Sequence, residues 1–84
     1  MGYATILWDL DDDPDGNVRH VADHGVTKEE VEEVLQRPSG IDSSRSSDRP
    51  IVFGWTSAGR FLVVVFEEID RDTAYPVTAY DVEP

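Results

Sequence analysis

The chain has 84 residues and a mass of 9.4 kDa, which suits one small domain spanning residues 1–84. Eighteen acidic residues against seven basic ones give a net charge of -11, which disfavours non-specific attraction to nucleic acid or anionic lipid. The absence of cysteine excludes disulfides, thiolate metal ligands and cysteine nucleophiles. The sequence shows neither a basic, apolar leader nor a membrane-spanning stretch, so the expected location is the cytoplasm, with no membrane contact.

The first predicted elements are a strand and a short helix. Residues 4–8 form a β-branched and aromatic run that stops at an acidic segment containing proline and glycine, which predicts a strand and its end. From Asn17, apolar residues recur at helical spacing as far as Gly25, which is suited to end a helix. This helix places His20 and His24 one turn apart.

A second helix is predicted by its own capping signals. Thr27 is placed to cap the helix, and Glu30 three residues later completes a capping box. Val26, just before the cap, is placed to pack against Val31. Pro38 ends the helix, because its ring and missing N–H are incompatible with a helix interior.

A β-hairpin is predicted after a Ser- and Arg-rich loop over residues 39–49. Its strands cover residues 51–56 and 60–66, and the turn between them contains Gly59, which can adopt a positive φ. The second strand is apolar at every position from 61 to 66, a pattern typical of a strand with both faces covered. We therefore expect this strand at the centre of the sheet.

The last predicted strand covers residues 77–80. It follows Pro76, whose missing N–H suits the first position of a strand. The predicted order is β-α-α-β-β-β, which indicates an α+β fold: a small, mostly antiparallel sheet with two helices packed on one face.

The acidic segment, residues 9–16, suggests a calcium site. Asp11, Asp13 and Asp15 match the first half of a calcium-binding loop, in which alternating carboxylates surround a hard cation. The position that should supply a bidentate glutamate is Ala22. The alternative is a solvated acidic turn whose carboxylates favour the start of the first helix.

Two histidines allow a second metal hypothesis. His20 and His24 could bind a transition metal together, but a third ligand would have to come from Asp23 or the acidic segment. In the alternative interpretation, His24 interacts favourably with the dipole at the end of the helix. Neither pattern is a complete site, so the sequence predicts no cofactor.

Arginines and aromatic residues provide the remaining candidates. Arg45, Arg49 and Arg60 border the hairpin and are suited to bind a phosphate or carboxylate, although arginines in so acidic a chain are also expected to pair with its own carboxylates. Exposed aromatics that stack RNA bases normally have basic surroundings, so the larger aromatic side chains are expected in the core. These are Trp8, Phe53, Trp55, Phe61 and Phe66.

Several motifs together resemble the BrnT family of small toxins, in the RelE superfamily, over roughly Ile6 to Tyr80. The resemblance implies the predicted fold and an endoribonuclease that a partner antitoxin neutralises. The motifs are Trp8-Asp9, Asn17, His24-Gly25-Val26-Thr27, Glu29-Glu30, Gly54-x-Thr56-x-x-Gly59-Arg60 and Val63-Val64-Val65.

The departures from the family pattern reduce positive charge. Asp23 stands where the family has a basic residue, and Glu67 and Glu68 stand where it has threonine and arginine. Tyr80 occupies the place of an arginine in the last strand. Each change makes the surface less attractive to RNA.

The resemblance also implies roles for a catalytic site. Arg60 matches a family arginine and would hold phosphate, His24 or Glu67 would act as base, and Tyr80 would donate a proton weakly. Because few cations remain, the favoured hypothesis is a diverged toxin fold without catalysis that binds a protein or small anion. The protein would be a partner or a second copy covering the central strand.

Two alternatives stay open. An endoribonuclease that works without metal would bind RNA only if its arginines cluster, and an antitoxin would then be its partner. A metal-binding domain would use the acidic segment.

Overall fold

A computed structural model describes residues 2–43 and 49–82 of the chain. No helix in these two ranges is long and apolar enough to cross a membrane. The strands are β1 (Thr5–Ile6), β2 (Gly40–Ser43), β3 (Pro50–Trp55), β4 (Phe61–Asp70) and β5 (Thr73–Asp81), and the helices are α1 (Asn17–Asp23) and α2 (Lys28–Gln36).

The five strands form one sheet in the order β1-β5-β4-β3-β2. β1 pairs with β5 in parallel, and the other neighbouring strands pair antiparallel. The predicted α+β class with a mostly antiparallel sheet is therefore confirmed. The apolar strand β4 lies at the centre, as its sequence predicts.

Both helices pack on the same face of the sheet. Side chains from the helices and strands form one buried cluster, so the prediction of helices on one face is confirmed. Its members are Val21, Val26, Val31, Val34 and Leu35 from the helical half and Val52, Leu62, Val64, Phe66, Ala74 and Ala79 from the strands.

Alternate residues of the strands point to the opposite side of the sheet, which we call the open face. The strand register pairs Trp55 with Phe61, Phe53 with Val63, and Val63 in turn with Tyr80. The open face consists of Ile51, Phe53, Trp55, Phe61, Val63, Val65, Thr78 and Tyr80.

The local signals of the second helix are realised as predicted. The Thr27 hydroxyl accepts a hydrogen bond from the Glu30 amide at 3.2 Å, and the Glu30 carboxylate accepts one from the Thr27 amide at 3.1 Å. Val26 and Val31 are both buried in the core cluster. Gly25, between the helices, has a φ of 75° that side chains disfavour.

One strand lies within the segment that we predicted to be a loop. β2 occupies residues 40–43 of the predicted loop 39–49 and pairs with β3 at the edge of the sheet. A Cβ on Gly40 would lie 2.4 Å from the ring of Phe53, so glycine allows that ring to lie across the β2 backbone. This contact between distant residues leaves no periodic signal in the sequence. Residues 44–48, which include Arg45, lie outside the described residues.

The last strand begins earlier than predicted. Pro76 lies inside β5, opposite Phe66 at an irregularity of the β4–β5 register, rather than ahead of the strand. An irregularity of this kind accommodates a residue that cannot donate a ladder hydrogen bond. The Pro76 carbonyl instead accepts a hydrogen bond from Asn17.

The buried side chain of Asn17 connects four parts of the chain. Its amide nitrogen donates to the carbonyls of Leu7 at 3.0 Å and Pro76 at 2.9 Å, and its amide oxygen accepts from the Asp9 N–H at 2.8 Å. The Asp9 carboxylate accepts from the Asn17 N–H at 2.9 Å and from the Tyr75 hydroxyl at 2.7 Å. These bonds join Leu7, which directly follows β1, to the acidic segment, α1 and β5.

Replacing Asn17 by alanine should lower the free energy of unfolding by about 2 to 4 kcal/mol, because backbone groups of three residues lose their partner. Urea denaturation measures this loss. The control is Arg19→Ala, which breaks an exposed ion pair with Asp23 in the same helix and should cost less than about 1 kcal/mol. Equal losses in the two variants would contradict the role assigned to Asn17.

The bond between Tyr75 and Asp9 makes stability depend on pH at both extremes. This hydrogen bond is the largest of the causes, with burial and nearby carboxylates, that raise the pKa of Tyr75 from 10.0 to about 12. Together with the hydrogen bond from the Asn17 N–H, it lowers the pKa of Asp9. The Tyr75 contribution is therefore complete below about pH 10 and is lost as the pH rises through 12. The Asp9 contribution is present above the ordinary carboxyl pKa of 3.8 and is lost as the pH falls through the lowered value.

Tyr75→Phe should accordingly be less stable than the wild type at about pH 7, and the difference between them should shrink at about pH 11. Urea unfolding of both proteins at the two pH values measures it. A stability difference that is the same at both pH values would show that the hydroxyl contributes nothing through Asp9.

Candidate functional site

Three aromatic side chains form a row on the open face, at the end where the β3–β4 hairpin turns. The ring of Phe61 lies 5.8 Å from that of Phe53 and 5.0 Å from that of Trp55 between centroids. We call Phe53, Phe61 and Trp55 the aromatic row. Trp55 is 58% exposed, while the two phenylalanines are half-buried.

The expectation that the larger aromatic side chains lie in the core is confirmed for Phe66, which is fully buried. It is wrong for Trp55, Phe53 and Phe61, which lie on the open face outside the core cluster. The two tryptophans therefore have different environments. Trp55 ends β3 on the side of the sheet away from the helices, so no core residue covers its ring. Trp8 is half-buried, packs against the core cluster, and donates its indole N–H to Glu32 at 2.9 Å. Next to the row, Val63 is 9% exposed and gives it an apolar base.

His24 and Tyr80, two residues of the predicted catalytic set, lie together at the β5 side of the sheet. Tyr80 is on the open face and 41% exposed, and its ring centroid is 6.4 Å from that of His24. His24 caps the C-terminus of α1 and is exposed. An imidazole and a phenol are therefore neighbours at a solvent-accessible position.

Arg60 is bound by the protein's own acceptors. Its Nε donates to Asp81 at 2.9 Å, and its Nη1 donates to the Glu30 carboxylate at 2.8 Å and to the Gly25 carbonyl at 3.0 Å. The hydrogen bond to Asp81, with that to Glu30, raises the pKa of Arg60. The predicted pairing of arginines with surplus acids is thus observed for Arg60.

Other predicted site residues lie away from this position. Glu67 pairs with Tyr75 on β5, whereas Tyr80 pairs with Val63. Glu67 and Val63 are four residues apart along β4, which is about 13 Å. Arg49 is exposed and precedes β3, at the opposite end of that strand from Arg60, about 20 Å away. The structure therefore brings His24, Arg60 and Tyr80 to one end of the sheet and leaves Arg49 and Glu67 elsewhere.

The candidate metal ligands do not assemble into a cluster. Asp11 accepts a hydrogen bond from Lys28 at 3.0 Å, and the Asp13 carboxylate accepts one from the Asp15 amide at 2.9 Å. Within residues 2–43 and 49–82, no group of three or more histidines or acids is arranged to hold a metal ion. The candidates are Asp11, Asp13, Asp15, His20 and His24.

The aromatic row is the feature that the sequence analysis missed, although the sequence carries a signal for it. Gly59 fixes the turn between two runs of alternating residues, and the odd positions 51 to 55 and 61 to 65 then share one face. Because the even positions carry the core residues, the odd positions must face away from the helices. The expectation that residues 61–66 are covered on both faces, and that the large aromatic side chains lie in the core, concealed this division.

Arg60→Ala should lower the melting temperature by several degrees, because two carboxylates and a carbonyl lose their shared donor. Arg60→Lys should recover only part of the loss, since one ammonium cannot reproduce the planar geometry of a guanidinium. Thermal unfolding followed by circular dichroism measures both. Arg71→Ala, at an exposed turn residue, is the control, and a drop as large in this variant would contradict the structural role of Arg60.

A comparison with protein-family models gives one match. The model described as "Domain of unknown function (DUF4258)" matches residues 17–81, from the start of α1 to the end of β5. β1 and the acidic segment precede the matched part. No curated protein and no solved structure matches the chain significantly. Because the match covers most of its length, the chain belongs to the DUF4258 family.

Proposed function

We propose that the chain is a diverged BrnT-like toxin fold that acts as a non-catalytic module and binds a protein partner through the open face. The observation that carries this proposal is the aromatic row together with Tyr80, which lies on the same face. Trp55 and Tyr80 are 58% and 41% exposed on the face away from the helices. Exposed tryptophan and tyrosine side chains beside an apolar base are typical of protein-binding surfaces.

The arrangement of cations favours a protein ligand over a small anion. An anion site needs several donors that converge and are not already bound. Two arginines of the predicted anion site lie among the described residues: Arg60 already donates to Glu30 and Asp81, and Arg49 lies about 20 Å away at the other end of β3. Of the two ligand classes considered, the structure therefore supports the protein better.

Charge also favours a different protein over a second copy of this chain. Two copies would each carry a net charge of -11, and bringing them face to face would oppose like charges. A partner with basic groups would instead be attracted. We therefore propose a hetero-complex.

Trp55→Ser should weaken binding of the partner by roughly 30-fold, the loss typical of removing a central tryptophan from an interface. Affinity capture with the wild-type chain identifies the partner, and titration of the purified partner measures Kd. Leu10→Ser is the control, because Leu10 is 76% exposed but lies in the acidic segment. Kd values that are the same for both variants and the wild type would exclude the open face as the binding surface.

An endoribonuclease of the BrnT type is the second candidate, because His24 and Tyr80 are neighbours. Its phosphate-binding residue would be Arg60, which would first have to leave Glu30 and Asp81. RNA cleavage by the purified protein that His24→Ala abolishes, together with growth arrest on expression, would favour this function. The absence of both would favour the binding module.

A further inference from the structure

We propose that the partner presents an arginine-bearing basic segment to the open face, with a guanidinium stacked on the indole of Trp55. This inference rests on the proposed function and names the chemistry of the partner. It depends on three observations: the accessibility of the indole, the position of Arg60, and the net charge of the chain.

The indole of Trp55 is accessible to a planar cation. Phe61 is inclined by 59° to Trp55 at a centroid distance of 5.0 Å, so it is not stacked flat on the indole. More than half of the residue remains exposed. Tryptophan is the aromatic residue that attracts cations most strongly, at about 0.5 to 1 kcal/mol for an exposed site and more when water is excluded.

The chain's own nearest guanidinium on the hairpin does not occupy this position. Arg60 directly precedes Phe61, but it binds Glu30 of α2 and Asp81. Asp81 pairs with Leu62, whose side chain is buried on the helix side of the sheet. The Arg60 contacts therefore lie on the helix side of the sheet, away from the exposed indole.

The charge of the molecule favours a cationic occupant over a neutral or acidic one. The net charge of -11 produces a negative potential that accelerates the approach of a basic segment. Arginine is favoured over lysine because its planar group stacks on aromatic rings and is weakly hydrated.

The test uses Trp55 as its own reporter. In Trp8→Phe, Trp55 is the remaining tryptophan, and its fluorescence is followed on titration with a short peptide of alternating arginine and valine. Matched peptides carry lysine, serine or glutamate in place of arginine. We expect the arginine peptide to change the fluorescence and to bind at least about tenfold more tightly than the serine peptide at low salt.

Calorimetry on the chain with Trp8 intact gives a second measurement that does not depend on the Trp8 substitution. Trp55→Leu should weaken binding of the arginine peptide about fivefold and remove the preference for arginine over lysine. Leu10→Ser should leave both unchanged.

Several results would overturn the inference. Equal binding of the arginine and serine peptides would show that charge is not recognised, and equal binding by Trp55→Leu and the wild type would show diffuse attraction only. Self-association through the row, or a fluorescence response to an oligoribonucleotide but not to the arginine peptide, would assign the face to another occupant. If the peptide results rule out the arginine contact but binding of the identified partner is still weakened by Trp55→Ser, the proposed function stands without that contact.

Discussion

The two helices of this chain cover one face of a five-stranded sheet, and this constraint determines the rest of the molecule. Leu62, Val64 and Phe66 of the central strand are buried under the helices. The alternate residues of the same strand must point the other way, where only neighbouring strand residues cover them. The aromatic row therefore follows from the central position of β4 and from the packing of both described helices on one face of the sheet.

Several partly buried acidic residues hold elements of the fold together. Glu30 completes the cap of α2 and also binds Arg60, which is bound on its other side by Asp81. Asp9 similarly accepts from both Asn17 and Tyr75. Carboxylates in these places occupy the donors of a partly exposed guanidinium and stabilise the contacts between elements. The same residues that fix the fold therefore reduce the chain's ability to bind a polyanion.

The sequence predicted elements whose signals are local and missed those that depend on distant contacts. The cap of α2 at Thr27, the turn at Gly59 and the central position of β4 each follow from a short pattern. β2 has no such pattern, because it forms where Phe53 covers Gly40, and Pro76 enters β5 only through a register irregularity. Among the site residues, His24, Arg60 and Tyr80 were named from their motifs, but the carboxylates that bind Arg60 come from separate elements and could not be paired by spacing.

The close approach of Phe53 to Gly40 links the edge of the sheet to its central strands. A methyl group at position 40 would meet the ring at 2.4 Å and would tilt it away from the strand toward Phe61. A larger residue at one position thus demands a smaller one at the other. Relatives within the family are expected to change these two sites in concert, and the shape of their exposed surface would diverge accordingly.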